Sequence, residues 1–469
     1  MSTPLTAADP ATSGRRASGA LLAAVLGFFV VTLDSLVVNV AVPDIGADLK
    51  GGLSGMQWVV DGYTLMLAAL LLSAGSLSDR IGARRTFTTG MVLFVAASTA
   101  CGLAPNQALL IGSRMIQGAG AAAILPSSLS LIREAYPDPA RRGRVIALWT
   151  VAGSIAAAAG PVAGGALNLI SWRMIFFINV PVGLVALASA LRASPSPQRP
   201  VAFDLAGQLT VIVGIGALVY GLIAAGSAGV RAADVVVALV AAAVGLVGFA
   251  TSQACGRHPM APPALLRSRV VVISALSGFA FLGAFTAVVF LFSLYLQQQR
   301  GLSALQTGLV FLPTTLLSAA ISPVSTWLTH RYSPLVPIFG GLTMMALAML
   351  ALAGLPAPTP TWLISVLLIP IGITGPLAMQ PTIAVLLDSV PAHQSGLASG
   401  VFNSSRQIGG ALSIAAFGAL LSASDQLITG LRHSLIITAV VVLLAATANA
   451  LFRPHHLDSL PVPSRRDDL

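Results

Sequence analysis

Long apolar stretches separated by short polar segments dominate the chain from about residue 19 to residue 453. Each stretch holds about 20 apolar residues, which is the length that an α-helix needs to cross a bilayer. The pattern predicts an all-α polytopic membrane protein with fourteen membrane-spanning helices. Their expected centres are Phe29, Leu67, Phe94, Ala121, Ala157, Leu184, Val213, Ala241, Phe285, Leu316, Met345, Ile371, Ala411 and Val441.

The composition supports a membrane location. Hydrophobic residues make up 56% of the chain, charged residues make up 9%, and the mean hydropathy is +0.89. A soluble domain carries about 25% charged residues, so a set of soluble globular domains is excluded. The first apolar run, Ala20–Val42, is too long for a cleaved signal peptide, and it contains Asp34.

The basic residues indicate an orientation. If both ends lie in the cytoplasm, the inner connections and tails hold eighteen arginines. The outer connections then hold five basic residues, which are Lys50, Arg173, Arg231, Arg300 and Arg432. Cytoplasmic loops are enriched in Lys and Arg, so both termini are expected in the cytoplasm. The net charge of +10 then reflects topology, and nucleic-acid binding is disfavoured because no basic loop carries interleaved aromatic residues.

Two ionisable residues interrupt predicted spans, Asp34 in the first and Arg114 in the fourth. A charge near the bilayer centre costs roughly 2.5–3.5 kcal/mol on insertion scales, so such residues usually mark an ion or substrate path. Counting from Pro43 and Asn106 at 1.5 Å per residue puts both about 12–14 Å below the same surface. They are therefore expected to meet, as an acid and a base of a proton-coupled carrier would.

No second kind of chemical site stands out. Cys101 and Cys255 are expected on opposite sides of the membrane and cannot pair, and the histidines form no metal-binding cluster. Lys50 is the only lysine, so a nucleotide-binding loop of the Walker type is excluded. We expect no cofactor, no metal and no enzymatic activity.

The connection after the second span carries the most distinctive motif. Gly82 permits a tight turn there, and Asp79 can approach the N-terminus of a helix. An ordinary positively charged hairpin would explain the arginines but not the spacing of Gly and Asp. The motif residues, which we expect to form a gating loop, are Gly75, Asp79, Arg80, Gly82, Arg84 and Arg85.

The fifth span is rich in small residues. Glycines let helix backbones approach closely, and a proline within a span bends the helix. Plain small-residue packing explains this pattern equally well on spacing alone. The residues concerned are Gly153, Gly160, Pro161, Gly164 and Gly165.

The loop motif resembles the motif G-x-L-a-D-r-x-G-r-k of the major facilitator superfamily. The segments around Asp34, Arg114 and Pro161 resemble the first-, fourth- and fifth-span motifs of its drug–proton antiporters, and Asn179 and Ser405–Gly410 continue the pattern. The matches follow the family order over almost the whole chain. The resemblance implies proton coupling through Asp34 and Arg114. It also implies that the fifth span is an exporter-specific hinge and seal between the two halves of the protein.

The resemblance also implies a major facilitator fold, with two six-helix bundles and two extra central helices. Residues 1–18 then form a cytoplasmic tail, 19–192 the N-terminal bundle, 193–252 the two inserted helices, 253–453 the C-terminal bundle and 454–469 a second cytoplasmic tail. A faint internal repeat supports this division, because the loop after span ten resembles the loop after span two. His330 and Ser333 stand there in place of Asp79 and Gly82.

Seven residues are candidates to line a substrate cavity. Asp61 is expected to be shallow, where it either faces outer water or attracts a cationic substrate, and Arg406 either pairs with carbonyls or contacts substrate. Phe285 and Phe292 could also stack on a drug, although packing is the default for each ring. The second half has no acidic residue near mid-membrane, since Asp388 lies near an inner end and Asp425 outside. The seven candidates are Asn39, Asp61, Tyr63, Gln117, Gln380, Phe402 and Arg406.

The sequence therefore predicts a proton-coupled antiporter that exports hydrophobic drugs or antibiotics across a bacterial cytoplasmic membrane by alternating access. Asp79 is expected to hold the facing helix start near Ser395–Gly396 and so stabilise the outward-open state. Expected partners are a small hydrophobic drug, protons and membrane lipid, with a monomeric protein and no nucleic acid. The alternatives are an uptake symporter on the same fold and a non-transporting membrane receptor.

Overall fold

The computed structural model describes residues 10–198, 204–256, 259–260, 263–356, 358–391, 394–424 and 426–451. Within these ranges every regular element is a helix, so the predicted all-α class is confirmed. Residues 1–9 of the first predicted tail and all of the second, 454–469, lie outside the described residues, as do Asp425 and the side chain of His330.

The first part of the chain forms a group that we call the N-terminal helices. Asn106 caps α4 by accepting a hydrogen bond from the Leu109 N–H, and Asp138 caps α5 through the Arg141 N–H. The group comprises α1 Pro10–Asp48, α2 Gly52–Ile81, α3 Ala83–Gly102, α4 Gln107–Ala135, α5 Pro139–Asn168, α6 Met174–Phe177 and α7 Asn179–Arg192.

Two inserted helices follow, α8 Leu205–Ala228 and α9 Ala233–Cys255. The remaining C-terminal helices include two π-helical turns, Tyr295–Gln299 after α11 and Gly375–Met379 between α15 and α16. This group comprises α10 Pro263–Leu266, α11 Arg269–Leu294, α12 Ala304–Ala320, α13 Ser322–Arg331, α14 Leu335–Ala353, α15 Thr361–Thr374, α16 Gln380–Asp388, α17 Ser395–Ser422 and α18 Leu427–Leu451.

Twelve helical segments of the described residues are long and apolar enough to cross a membrane. Every predicted span centre falls within a separate long helix. Two of these helices, α3 and α17, are not among the twelve. Both carry polar side chains within their length, Arg84 and Arg85 in α3 and Asn403 and Arg406 in α17. Polar residues of this kind lower the mean hydropathy on which the count depends.

The boundaries of the first helix differ from the prediction. The polar segment 1–18 was expected to be a tail, but α1 already begins at Pro10. Proline is tolerated in the first turn because its missing N–H would have no helical partner there. The helix also continues through Pro43, the predicted outer boundary, and ends at Asp48. The helix therefore extends beyond the expected apolar run at both ends, and the assignment of residues 1–18 to a cytoplasmic tail stays a prediction.

The long helices run back and forth, so their connections lie on two sides. We call the side that holds the beginning of α1 and the end of α18 the terminal side, and the other the distal side. The turn between α2 and α3 is on the terminal side, where Gly82 has φ of +94°. This left-handed conformation favours glycine, as the motif predicted.

Helices from the two ends of the chain pack together. In the centre, α5 packs against both α1 and α12, while α2 packs against both α4 and α17. The inserted helix α8 packs against α9, α2 and α17. On the distal side, the Gln297 Nε2 donates a hydrogen bond to the Val40 carbonyl at 2.8 Å. The N-terminal and C-terminal helices therefore meet along two seams, α2 with α17 and α5 with α12.

Candidate functional site

A buried ion pair joins α1 to α4. The Arg114 Nη1 lies 2.6 Å from the Asp34 Oδ2, and the two side chains are 1% and 0% exposed. The prediction from the sequence that Asp34 and Arg114 lie at the same depth and meet is therefore confirmed. The role of the pair in proton coupling stays a prediction.

Two amide side chains complete the shell around the carboxylate. The Gln117 Nε2 and the Asn179 Nδ2 donate to the Asp34 Oδ1, at 2.8 Å and 2.7 Å. The Arg114 Nη1 also donates to the Gln117 Oε1 at 2.8 Å. Side chains of α1, α4 and α7 therefore meet at this carboxyl group. Helix α3 is linked to it indirectly, because the Ser98 hydroxyl accepts from the Asn179 Nδ2 at 3.0 Å.

The guanidinium of Arg114 has further partners on α2. Its Nε donates to the Val59 carbonyl at 3.0 Å, and its Cζ lies 4.3 Å from the centre of the Tyr63 ring. The Tyr63 hydroxyl in turn donates to the Val31 carbonyl at 3.3 Å. Tyr63 and Gln117 were predicted to line a substrate cavity, and both instead lie buried within the ion-pair network.

Asp61 occupies a different environment from the one predicted. Its side chain is 0% exposed, and neither carboxylate oxygen has a hydrogen-bond partner among the described residues. The expectation of a shallow residue facing outer water is wrong. It lies nine residues after Gly52, where α2 begins, so at 1.5 Å per residue it is about 13 Å along the helix. Helix α2 packs against α4, α17 and α8, and Asp61 is buried within this packing.

The other cavity candidates do not converge. Asn39 is buried and donates to the Ser35 carbonyl, whereas Gln380 is exposed at the start of α16. The Cζ of Arg406 lies 5.7 Å from the Phe402 ring centre and 5.9 Å from that of Phe281. The Phe402 ring is buried beneath it. Arg406 makes no ion pair with any described residue, and its Nε has no hydrogen-bond partner there.

An apolar cavity lies where α1, α5, α11, α12 and α15 meet. Of the predicted residues, Pro161 and Phe285 line it. The remaining walls are ordinary apolar or hydroxyl side chains, which gave no signal in the sequence because such residues fill every span. They are Leu36, Ala157, Val288, Val289, Phe311, Thr314, Thr315, Leu368 and Ile371.

The small residues of α5 face two neighbours. A Cβ atom added at Gly160 would lie 2.9 Å from the Leu36 Cβ, and one at Gly164 would lie 2.7 Å from the Val37 carbonyl oxygen, so both glycines face α1. Gly153 faces Phe28 of α1 in the same way. Such distances are too short for any side chain, so these glycines allow a backbone approach that alanine would prevent.

The opposite side of α5 faces the C-terminal helices. A Cβ atom at Gly165 would lie 2.6 Å from the Leu305 Cα, and one at Gly308 would collide with the Pro161 carbonyl. The Thr315 hydroxyl donates to the Ala158 carbonyl at 3.4 Å. The α5 motif is therefore in contact with both halves of the chain at once.

The gating-loop residues lie at the terminal side, at the end of α2 and the beginning of α3. Arg84 binds the last turn of α7, because its Nη2 donates to the Leu191 carbonyl at 2.6 Å. Asp79 is exposed, and no ion pair or hydrogen bond from a described residue reaches it. A Cβ atom at Gly396 would meet nothing within 4 Å. The expected contact from Asp79 to the start of α17 is absent among the described residues, and its role in the outward-open state stays a prediction.

Neither a metal nor a disulfide site is evident in the part of the chain that the structure describes. No group of three or more His, Cys, Asp or Glu side chains could hold a metal ion there. Both cysteines are free, with Cys101 buried and Cys255 exposed. The Cys101 Sγ lies 3.7 Å from the Gln117 Oε1 at the edge of the ion-pair network.

The family model described as Major Facilitator Superfamily matches residues 24–414. The multidrug resistance protein Stp of Mycobacterium tuberculosis (strain CDC 1551 / Oshkosh) is 36% identical over 409 residues, which are 86% of this chain and 75% of that protein. The methylenomycin A resistance protein of Bacillus subtilis (strain 168) is 33% identical over 439 residues, which are 93% and 94% of the two chains. A solved D-xylose-proton symporter aligns with a TM-score of 0.68 at 14% identity, covering 94% of this chain and 98% of that chain, which shows a shared fold.

Proposed function

The chain belongs to the major facilitator superfamily, and from this we propose that it is a proton-coupled exporter of hydrophobic drugs or antibiotics that works by alternating access. Relatives named for multidrug and antibiotic resistance support drug export. The observation that carries proton coupling is the buried carboxyl group of Asp34, which binds Arg114, Gln117 and Asn179 at once.

Protonation of Asp34 would change the forces on four helices together. The charged carboxyl holds the guanidinium of Arg114, and the neutral acid would hold it less tightly. Helix α1 carries Asp34 and packs on α5, which packs on α12. A shift of α1 would therefore be transmitted to the C-terminal helices. Because a bound proton favours only the state that it binds better, this coupling would exchange a proton for a substrate across the membrane.

The apolar cavity is the proposed substrate site. It lies between α1 and α5 on one side and α11, α12 and α15 on the other, which is the midplane position that transporters of this architecture use. Its walls are apolar, but its volume of about 20 Å³ is close to that of a single water molecule. A hydrophobic drug would therefore enter only after the helices on its two sides move apart. Arg406 is linked to it through aromatic rings, because Phe281 lies beneath the guanidinium and stacks on the cavity residue Phe285 with ring centres 6.1 Å apart.

We further propose that α3 and α17 also cross the bilayer, which gives fourteen spans. Both lie among the membrane-spanning helices, α3 against α4 and α17 against α11 and α2. The N-terminal helices would then form one six-span bundle, α8 and α9 the insert, and the C-terminal helices the second bundle. The arginine distribution supports a cytoplasmic terminal side and an outer distal side. The protein would act as a monomer in the cytoplasmic membrane.

Drug export is tested with a susceptibility panel on cells with and without the protein, repeated with a protonophore. We expect raised resistance to a subset of hydrophobic drugs, and we expect the protonophore to remove it. The direction of transport is measured in inverted membrane vesicles with an acidic interior. A proton-coupled exporter should accumulate drug inside these vesicles, because their interior corresponds to the outside of the cell. Drug movement in the opposite sense would establish the uptake symporter instead.

The gating loop provides a separate prediction. Asp79→Ala should shift the population toward the state closed on the outer side, because the contact of Asp79 with the start of α17 would stabilise only the outward-open state. Drug transport should fall while drug binding largely survives. The measurement is labelling from outside of a cysteine introduced at Asn39. Labelling of Asp79→Ala at the wild-type level would leave Asp79 as a turn residue. The control is Arg133→Ala, at an exposed charge in the last turn of α4 that lies outside the gating loop, and it should be labelled like the wild type.

A further inference from the structure

Asp61 is a buried acid with no partner. Its side chain is 0% exposed, and no described residue donates a hydrogen bond to either carboxylate oxygen. A charged carboxylate in such a place would lose its hydration and gain nothing in return, whereas the neutral acid has a much smaller desolvation penalty. Asp34 differs, because three donors satisfy it as a carboxylate. The two buried acids therefore differ in environment, because three donors reach the Asp34 carboxyl group and no described residue donates to that of Asp61.

The neighbours of Asp61 in α2 define the surface that it faces. Residues four positions apart share one face of a helix, so Asp61 lies between Gln57 and Leu65. The Gln57 Nε2 donates to the carbonyls of Ile414 and Ala415 in α17, at 2.9 Å and 3.1 Å. Leu65 packs into a buried cluster shared by α8 and α17. Asp61 therefore lies in the seam between α2 and α17, under the cover of α8.

No charged group of the surrounding helices compensates Asp61. Arg114 is bound to Asp34, and Arg406 lies over phenylalanine rings. Tyr220 lies beside Trp58, with ring centres 6.3 Å apart. None of these groups forms a hydrogen bond with Asp61. Besides Asp61, the ionisable residues of α2 and the helices packed on it include Asp34 on α1, Tyr63 on α2 itself, Cys101 on α3, Arg114 on α4, Tyr220 on α8 and Arg406 on α17. The charged residues near the helix ends are Arg15, Arg16, Asp44 and Asp48 on α1, Asp79 and Arg80 on α2, Arg84 and Arg85 on α3, and Arg133 and Glu134 on α4.

We propose that Asp61 is a second proton-binding site, and that α2 and α17 close on the outer side only when it carries a proton. The inference rests on the proposed alternating access, in which this seam opens toward the outside. In the open state, water reaches Asp61 and the carboxyl group can ionise. Closure removes that water, so the proton must be taken up from outside before or during closure. Asp34 and Asp61 would then bind protons in different steps of the cycle.

The proposal predicts how the conformational equilibrium depends on pH. If closure takes up one proton at Asp61, the ratio of closed to open molecules falls about tenfold for each unit by which the pH rises. This holds over the pH range in which Asp61 is ionised in the open state. Lower pH therefore favours the closed seam. Replacement of Asp61 by a neutral residue should remove this dependence and keep the seam closed.

The closed fraction can be measured with two spin labels on the outer side, at Leu103 between α3 and α4 and at Ala423 after α17. Both positions are exposed. The native Cys101 and Cys255 are replaced by serine, and Asp34→Asn is present throughout so that its titration does not contribute. Pulsed electron paramagnetic resonance then gives the distribution of label distances at each pH, in the full-length protein in lipid nanodiscs.

We expect the parent to shift toward the short distance as pH falls, and Asp61→Asn to show the short distance at every pH. Asp61→Ala should behave like Asp61→Asn, which separates loss of charge from any new amide contact. Asp44→Asn, at an exposed carboxyl on the same side, is the control and should keep the parental slope. A parent without pH dependence, or an Asp61→Asn variant with the parental slope, would overturn the proposal.

This experiment uses no drug, so its outcome does not depend on drug export. Failure of drug export in cells would contradict only the proposed function and would not change the result for Asp61.

Discussion

Asp34→Asn should reduce proton-driven drug export to the level of membranes without the protein. The asparagine side chain cannot exchange a proton, and its amide nitrogen would face the Arg114 Nη1, which now lies 2.6 Å from the carboxylate. Drug binding without a gradient should persist, because the apolar cavity does not include Asp34. The measurement is drug uptake into inverted vesicles driven by an imposed pH gradient. Asp34→Glu retains the titrating group and should keep part of the activity.

The control for this variant is Asp44→Asn, because Asp44 is an exposed carboxyl on the same helix. It should transport at the wild-type rate. Gel filtration in detergent shows whether each variant remains folded. If Asp34→Asn is folded and still transports at the wild-type rate under a pH gradient, Asp34 is not the coupling site, and the proposed mechanism fails at its first step.

Arg114→Ala should both destabilise the protein and impair transport. Removal of one partner from a buried ion pair typically costs about 3–5 kcal/mol, because the other charge stays buried without compensation. Here Asp34 would keep only its two amide donors, Gln117 and Asn179. The loss of stability should be smaller at acidic pH, where the stranded carboxyl group can become neutral. Thermal unfolding of the purified protein across a pH series measures both effects.

Two further variants make this prediction specific. Arg114→Lys keeps the charge but loses the planar fork that reaches Asp34, Gln117 and Val59 together, so it should rescue only partly. The double variant Asp34→Asn/Arg114→Ala removes both charges and should recover part of the lost stability. Equal stability of Arg114→Ala and wild type at neutral pH would show that the ion pair contributes little.

Much of the fold could be predicted because membrane helices are local features. Each needs about 20 apolar residues, and every expected centre lies within a long helix. The pairing of Asp34 with Arg114 was also accessible, since distance along a helix gives depth. The ends of the helices were harder to predict from the sequence. Helix α1 continues through Pro43, where the sequence indicated an end.

The environment of individual residues could not be predicted in the same way. Asn179 was noted only as part of a motif, yet it binds Asp34 from 145 positions away. Asp61 is buried on a helix whose Gln57, one turn earlier, donates to the carbonyls of Ile414 and Ala415 in α17, more than 350 positions further along the chain. Burial of this kind depends on which helices become neighbours, and no local pattern in α2 carries that information. The walls of the apolar cavity were missed because they resemble every other span.

The inserted helices make the molecule asymmetric toward the lipid. Helix α8 covers the seam between α2 and α17, with α9 packed behind it, whereas neither packs against the seam between α5 and α12. The residues Pro161 and Thr315 of the α5–α12 seam line the apolar cavity, and this seam lacks the cover that α8 and α9 give the other. If the proposed function holds, a hydrophobic compound dissolved in the bilayer would meet two different flanks, with two additional helices between the lipid and the α2–α17 seam.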